Sequence, residues 1–169
     1  MARNLSSNFL QHLTLPELEQ LFPDVLENAA VFTVVRDPWS RLLSSFRHQD
    51  PDLANYYRYR THRELSELSL ADYIDVARWL PHPHLRPQLD FLGPTGGSQP
   101  DPRVTVFHQE RLGELETWLS CHCAEPVQLP HYNPARRTPP ELPEAELQAL
   151  EQQVRWLYAA DGHAFGYHP

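Results

Sequence analysis

Lysine is absent from the 169 residues, so all 14 basic side chains are arginine. Glycine is scarce as well: there are six, and the first is Gly93. A Walker-type phosphate loop needs both residue types, and a dinucleotide fingerprint needs clustered glycines ahead of a helix. Neither fits in the first 92 residues, and Gly93, Gly96 and Gly97 do not form such a pattern. The chain therefore holds no glycine-rich phosphate cradle. Its two cysteines, Cys121 and Cys123, are two apart, and such near neighbours rarely bridge. Reduced thiols fit an intracellular protein. Cys121-His122-Cys123 lacks the second ligand pair of a structural zinc site, so no metal is expected. No apolar run reaches signal-peptide or membrane-span length, so the expectation is a soluble, cytoplasmic chain. A net charge of −8 excludes a general nucleic-acid binder.

What is abundant is proline, 17 residues in all, unevenly spread. Six fall in 81–102 and six in 126–143, which predicts two long irregular loops in one domain spanning 1–169. Thr14-Leu15-Pro16-Glu17 has the cap, early proline and acidic third position that open a short helix, with Pro23 ending it. The nearly unbroken apolar, β-branched run from Ala30 to Val35 predicts a strand buried on both faces. Asp37-Pro38 starts a helix to about His48, Ser69 caps another, and Arg103–Phe107 forms a second strand followed by a helix from Leu112. Pro143 opens a long last helix whose apolar positions end at Tyr158, with Asp161-Gly162 as its stop. Alternating strands and helices predict an α/β fold with a small parallel sheet flanked by helices.

The chemically informative junction is Val34-Val35-Arg36-Asp37-Pro38-Trp39-Ser40-Arg41-Leu42-Leu43-Ser44. An arginine stands where a buried strand ends and a helix begins, the edge at which open α/β sheets bind ligands. Unpaired N–H groups and the positive dipole end of the helix favour an anion there. Ser40 and Ser44, four apart, share one helical face. An arginine fork with hydroxyls beside it suits a phosphate monoester. The competing reading pairs Arg36 with a carboxylate and leaves the serines solvated.

Arg36-Asp37-Pro38-Trp39-x-Arg41-x-x-Ser44 after an apolar strand resembles the 3′-phosphate motif of the sulfotransferase superfamily. It is nearest to the carbohydrate sulfotransferase-like branch, the Sulfotransfer_2 type. Leu85-Arg86-Pro87-Gln88-Leu89-Asp90-Phe91-Leu92, Val106 to Leu112, Leu129 to Asn133, Leu157 to Asp161 and Phe165-Gly166-Tyr167 resemble later parts of the same pattern, in order. The resemblance implies that Arg36 and Ser44 grip the 3′-phosphate of PAPS (3′-phosphoadenosine 5′-phosphosulfate) or of its product PAP. It also implies that Arg137, beside Arg136 in the second proline-rich loop, closes over the nucleotide, unless that pair merely faces solvent. His12 falls where related enzymes carry a base, unless it is merely a frayed surface histidine near the start of the sequence. His84 and Arg86, with His82, are candidate acceptor-binding residues of the first proline-rich loop, or else simply solvated.

One part of the family pattern has no counterpart. The Lys-x-Gly-x-Ser/Thr loop that cradles the 5′-phosphosulfate lies upstream of the matched residues, and no lysine is available to replace it. The reading is a truncated, P-loop-like sulfotransferase fold. Its expected function is PAPS-dependent sulfuryl transfer to a carbohydrate-type hydroxyl, slow or lost in this chain. The alternative is a non-catalytic 3′-phosphonucleotide-binding or interaction protein. Six arginines against three aspartates between Arg36 and Arg63 place the anion site in the N-terminal half.

Overall fold

A computed structural model describes residues 12–93, 97–130 and 141–167. The elements run α1 (Leu15–Leu21), α2 (Pro23–Glu27), β1 (Val31–Val35), α3 (Pro38–His48), α4 (Pro51–Thr61), α5 (Leu70–Trp79), β2 (Val104–His108), α6 (Leu112–Cys123), α7 (Glu144–Leu157) and α8 (Ala159–Phe165). This is the expected α/β arrangement, a small parallel sheet flanked by helices. Among the described residues the sheet has two strands, paired in parallel from Val31 opposite Val104 to Val35 opposite His108. No helix among them is long and apolar enough to cross a membrane.

Local chemistry starts the helices. Thr14 and Glu17 form a reciprocal capping box on α1, and Ser69 and Asp72 do the same on α5. Asp37-Pro38 and Asp50-Pro51 are the same signal used twice: each aspartate accepts N–H bonds from the first turn, and each proline needs no donor there. The second of these yields α4, whose Tyr57 is buried while Tyr59 remains 76 % exposed.

Two apolar clusters hold the elements together. Leu42 and Phe46 of α3, Leu53 and Tyr57 of α4, Tyr73, Ile74 and Val76 of α5, and Val154 of α7 form the helical core. Leu15, Val35, Leu89, Leu92, Val104 and Phe165 form the other cluster, against one face of the sheet. The other face departs from expectation. Strand β1 is not buried on both sides, because Phe32 and Val34 are 41 % and 38 % exposed. Phe32 leans on Trp118 and Phe107, with ring centroids 5.2 and 6.3 Å apart, and this packing covers it only in part.

A second departure concerns the C-terminal helix. The chain breaks at Tyr158 (φ −110°, ψ 33°) and resumes as α8, so Asp161-Gly162 lies inside a helix instead of stopping one. The reason is tertiary. Asp161 has no solvent exposure and is anchored to the 82–92 loop, while a Cβ on Gly162 would sit 2.7 Å from the Tyr167 carbonyl oxygen. The left-handed residue that ends the helix is Gly166, at φ +74°.

Glycine-to-alanine exchange should therefore have opposite signs in two helices. Gly113→Ala in α6 meets nothing within 4 Å and should stabilise by about 0.5–1 kcal/mol through helix propensity. Gly162→Ala should destabilise by about 1–3 kcal/mol, since backbone must move to admit the methyl. Thermal or urea unfolding of the two variants checks both signs.

Candidate functional site

The carboxyl end of β1 feeds directly into α3, and the loop 82–92 wraps around that junction. Every turn of the loop is tied down. Nη2 of Arg41, from the first turns of α3, donates to the carbonyls of His84 (3.3 Å) and Arg86 (2.8 Å), with its guanidinium 5.8 Å from the Tyr158 ring centroid. The Tyr158 hydroxyl donates to the carbonyl of Leu85 at 2.7 Å. Three successive carbonyls are thus satisfied by two side chains, Arg41 of α3 and Tyr158 at the break between α7 and α8. Burial pushes the Tyr158 hydroxyl up to about 12, which keeps it a proton donor at neutral pH.

These ties shape a cavity of about 440 Å³. Its lining includes Thr33 and Val34 of β1, Arg41, Ser44, Ser45 and His48 of α3, His84 and Gln88 of the loop, and His12. Arg41 brings a positive charge to the lining, and His12, His48 and His84 bring imidazoles, with burial lowering the pKa of His84. None of the described lining side chains is a carboxylate, in a chain whose net charge is −8. The cavity is therefore chemically suited to an anion. On α3, Arg41, Ser44, Ser45 and His48 recur at helical spacing, so one stripe of the helix faces this space. Ser45 is also hydrogen-bonded to Tyr73, 2.7 Å between hydroxyls.

Of the residues singled out by sequence, His12, Ser44 and His84 line this one cavity. The rings of His12 and His84 stand 5.1 Å apart, and those of His84 and His82 are 5.2 Å apart. Arg36 stands beside the cavity instead of lining it: it follows Val35, which does line it, and its backbone is bonded to Gln88. Its Nε is enclosed and has no hydrogen-bond partner among the described residues. Arg86 points elsewhere, 3.4 Å from Asp90 and over the ring of Phe91 (5.2 Å), and lines a separate hollow. Arg137 lies outside the described residues.

Asp37 does not pair with Arg36. Its carboxylate caps α3 through the Ser40 N–H (2.8 Å) and meets Arg155 at 3.3 Å. Its own N–H donates to Glu110, which also accepts from the Tyr167 hydroxyl at 2.8 Å. For Glu110, burial pulls the carboxyl up, but the Tyr167 hydroxyl and the Asp37 N–H outweigh it and hold it below its ordinary range.

Sequence reasoning did not single out Gln88 or His48. His48 had a legible signal, since it lies four residues after Ser44 on the same helix. Its Nδ1 is enclosed without a partner among the described residues. Gln88 had none, because its partners lie 52 and 73 residues away. Among the described residues no group of three or more His, Cys, Asp or Glu side chains could hold a metal ion.

The histidine row has a pH signature. Burial, then the neighbouring His84, lowers His82 to about 4, and its Nδ1 already accepts the His84 N–H at 3.3 Å. An unfolded chain takes up this proton near pH 6.5, so stability is lost as pH falls from about 6.5 towards 4. Asn at position 82 keeps a capping acceptor without titrating. His82→Asn should flatten the fall in thermal midpoint between pH 7 and 4.5, and an unchanged slope would remove His82 as its source.

The sequence profile described as the Sulfotransferase family matches residues 1–90, more than half of the chain. No curated protein matches the chain. No solved structure matches it either.

Proposed function

Starting from the chain's membership of the sulfotransferase family, we propose that its cavity serves PAPS-dependent sulfuryl transfer to a carbohydrate-type hydroxyl. In this reading Arg36 and Ser44 hold the 3′-phosphate of PAPS or PAP, and Arg137 closes over the nucleotide. His12 takes the proton of the acceptor hydroxyl and His84 contacts the acceptor, while Arg86, turned to Asp90 and lining a separate hollow, has no part in this cavity.

The observation that carries the nucleotide half is the Arg36 side chain. Its Nε is enclosed without a partner among the described residues, at the end of a parallel strand and beside a cavity lined by Ser44 and by no described carboxylate. Enclosing part of a guanidinium without a partner is costly, and a phosphate that meets the rest of the fork would offset that cost. The Asp37 carboxylate, the nearest competitor in sequence, is occupied by Ser40 and Arg155. His12 supports the acceptor half: it lines the same cavity as Ser44, next to His84. An imidazole in that position is the kind of group that takes a proton from an attacking hydroxyl.

A second reading, nucleotide binding without transfer, rests on composition. Sulfuryl transfer is mostly positioning and charge stabilisation, and the 169 residues hold no lysine to neutralise the leaving oxygen. Transfer from PAPS by these residues alone should therefore be slow, while binding persists. A brisk rate would exclude this second reading.

The nucleotide site is tested by calorimetry. Adenosine 3′,5′-bisphosphate should bind the wild-type chain, and Arg36→Ala should weaken it by ten- to a hundredfold, about 1.5–3 kcal/mol for a charge-assisted fork. Adenosine 5′-monophosphate should compete poorly and 3′-phosphorylated adenosine well. Equal heats for wild type and Arg36→Ala would refute the assignment of Arg36. Equal competition by the two monophosphates would assign the wrong end of the nucleotide.

A further inference from the structure

The pairing of β1 with β2 ends at Val35 opposite His108, so the sheet ladder no longer holds the residue after it. That residue is Arg36, and its peptide groups are gripped another way. Its N–H donates to Oε1 of Gln88 at 2.9 Å, and its carbonyl accepts from Nε2 of Gln88 at 2.9 Å. One side-chain amide thus supplies the donor and the acceptor that a neighbouring strand would supply, and extends the ladder by a residue.

Gln88 is fixed in turn. Its backbone N–H donates to Oδ2 of Asp161 at 2.8 Å, and the Leu89 N–H donates to Oδ1 at 2.9 Å. Nε2 of Gln88 also lies 3.5 Å from Oδ2. Both oxygens of a fully buried carboxylate are therefore spent on two consecutive residues, which anchors the backbone that carries the Gln88 side chain. We propose that Gln88, locked by Asp161, is a positioning residue for Arg36, aiming its guanidinium at the 3′-phosphate. The proposal rests on the reading of Arg36 given above.

Glutamine is the side chain this geometry requires. Glutamate would keep an acceptor for the Arg36 N–H but lose the donor to its carbonyl, and would set a second carboxylate beside Asp161. Leucine keeps the approximate volume and loses both bonds. A side chain that merely fastened the loop to the sheet would need the same contacts, so stability alone cannot separate the two roles. The separation lies in whether the effect of Gln88 on binding passes through the Arg36 side chain.

A double-mutant cycle on the 169-residue chain decides it, with adenosine 3′,5′-bisphosphate titrated by nuclear magnetic resonance so that millimolar affinities are read. Gln88→Leu should weaken binding about tenfold, the loss expected for two neutral hydrogen bonds. In an Arg36→Ala background the same change should cost less than about twofold, because nothing remains to be aimed. Gln88→Met, which also loses both bonds and adds no charge to the cavity, should behave as Gln88→Leu does in both backgrounds, and it supplies the result if Gln88→Leu fails to fold. Equal weakening with and without Arg36 would overturn the proposal in favour of a purely structural tie. Loss of affinity in Arg36→Ala but none in either Gln88 variant would overturn it too, while leaving Arg36 as the phosphate ligand. No loss in Arg36→Ala would sink that reading and the proposal together.

Discussion

A single buried carboxylate organises the region around the cavity. Asp161 sits in a short helix near the end of the chain, without solvent exposure, and accepts from the backbone of Gln88 and Leu89. Burial pushes its carboxyl above the ordinary range, while the Leu89 and Gln88 N–H groups and the Arg41 charge pull it back. A carboxylate in such a place is tolerated only if its lone pairs are filled, and the loop 82–92 fills them. The dependence is mutual. Without Asp161 the loop would hold two orphaned N–H groups, and without the loop α8 would bury an unpaired charge.

The same logic recurs along the loop. Its prolines at 83 and 87 cannot donate, so the chain satisfies its polar groups by borrowing from side chains on other elements. Arg41 takes two carbonyls, Tyr158 takes the one between them, and Gln88 closes onto Arg36. A segment that reads as irregular is thereby held as firmly as a strand, on the side of β1 where the cavity opens. Rigid support of this kind suits a site that must present charge to a ligand without reorganising.

Electrostatics follow from this placement. The molecule is acidic overall, yet the cavity is lined by Arg41, His12, His48 and His84 and by no carboxylate among the described residues. Nearby acids are consumed elsewhere: Asp37 by Ser40 and Arg155, Glu110 by Tyr167 and the Asp37 N–H, Asp90 by Arg86. The local field is thus set less by net charge than by which acids are already bonded.

Short-range chemistry was legible in the sequence. The capping boxes at Thr14 and Ser69, the Asp-Pro start of α3, both strands and the strand–Arg36–helix junction are consequences of residues within a few positions of one another. That is why the α/β class and the neighbourhood of Arg36 could be read directly, and why Ser44 could be set on the helix beside it. What sequence could not decide depended on partners far along the chain. The exposure of Phe32 and Val34 reflects what packs on the sheet, not the apolar run that contains them. Asp161-Gly162, which locally spells a helix stop, lies within a helix because Gln88, Leu89 and Tyr167 meet it there. His84 and Arg86, two apart in a proline-rich loop, diverge because Asp90 and Phe91 draw Arg86 away from the space His84 lines. Periodicity and capping act over one or two turns; the hold of Gln88 on Arg36 spans 52 residues, and only the packed chain brings those atoms to 2.9 Å.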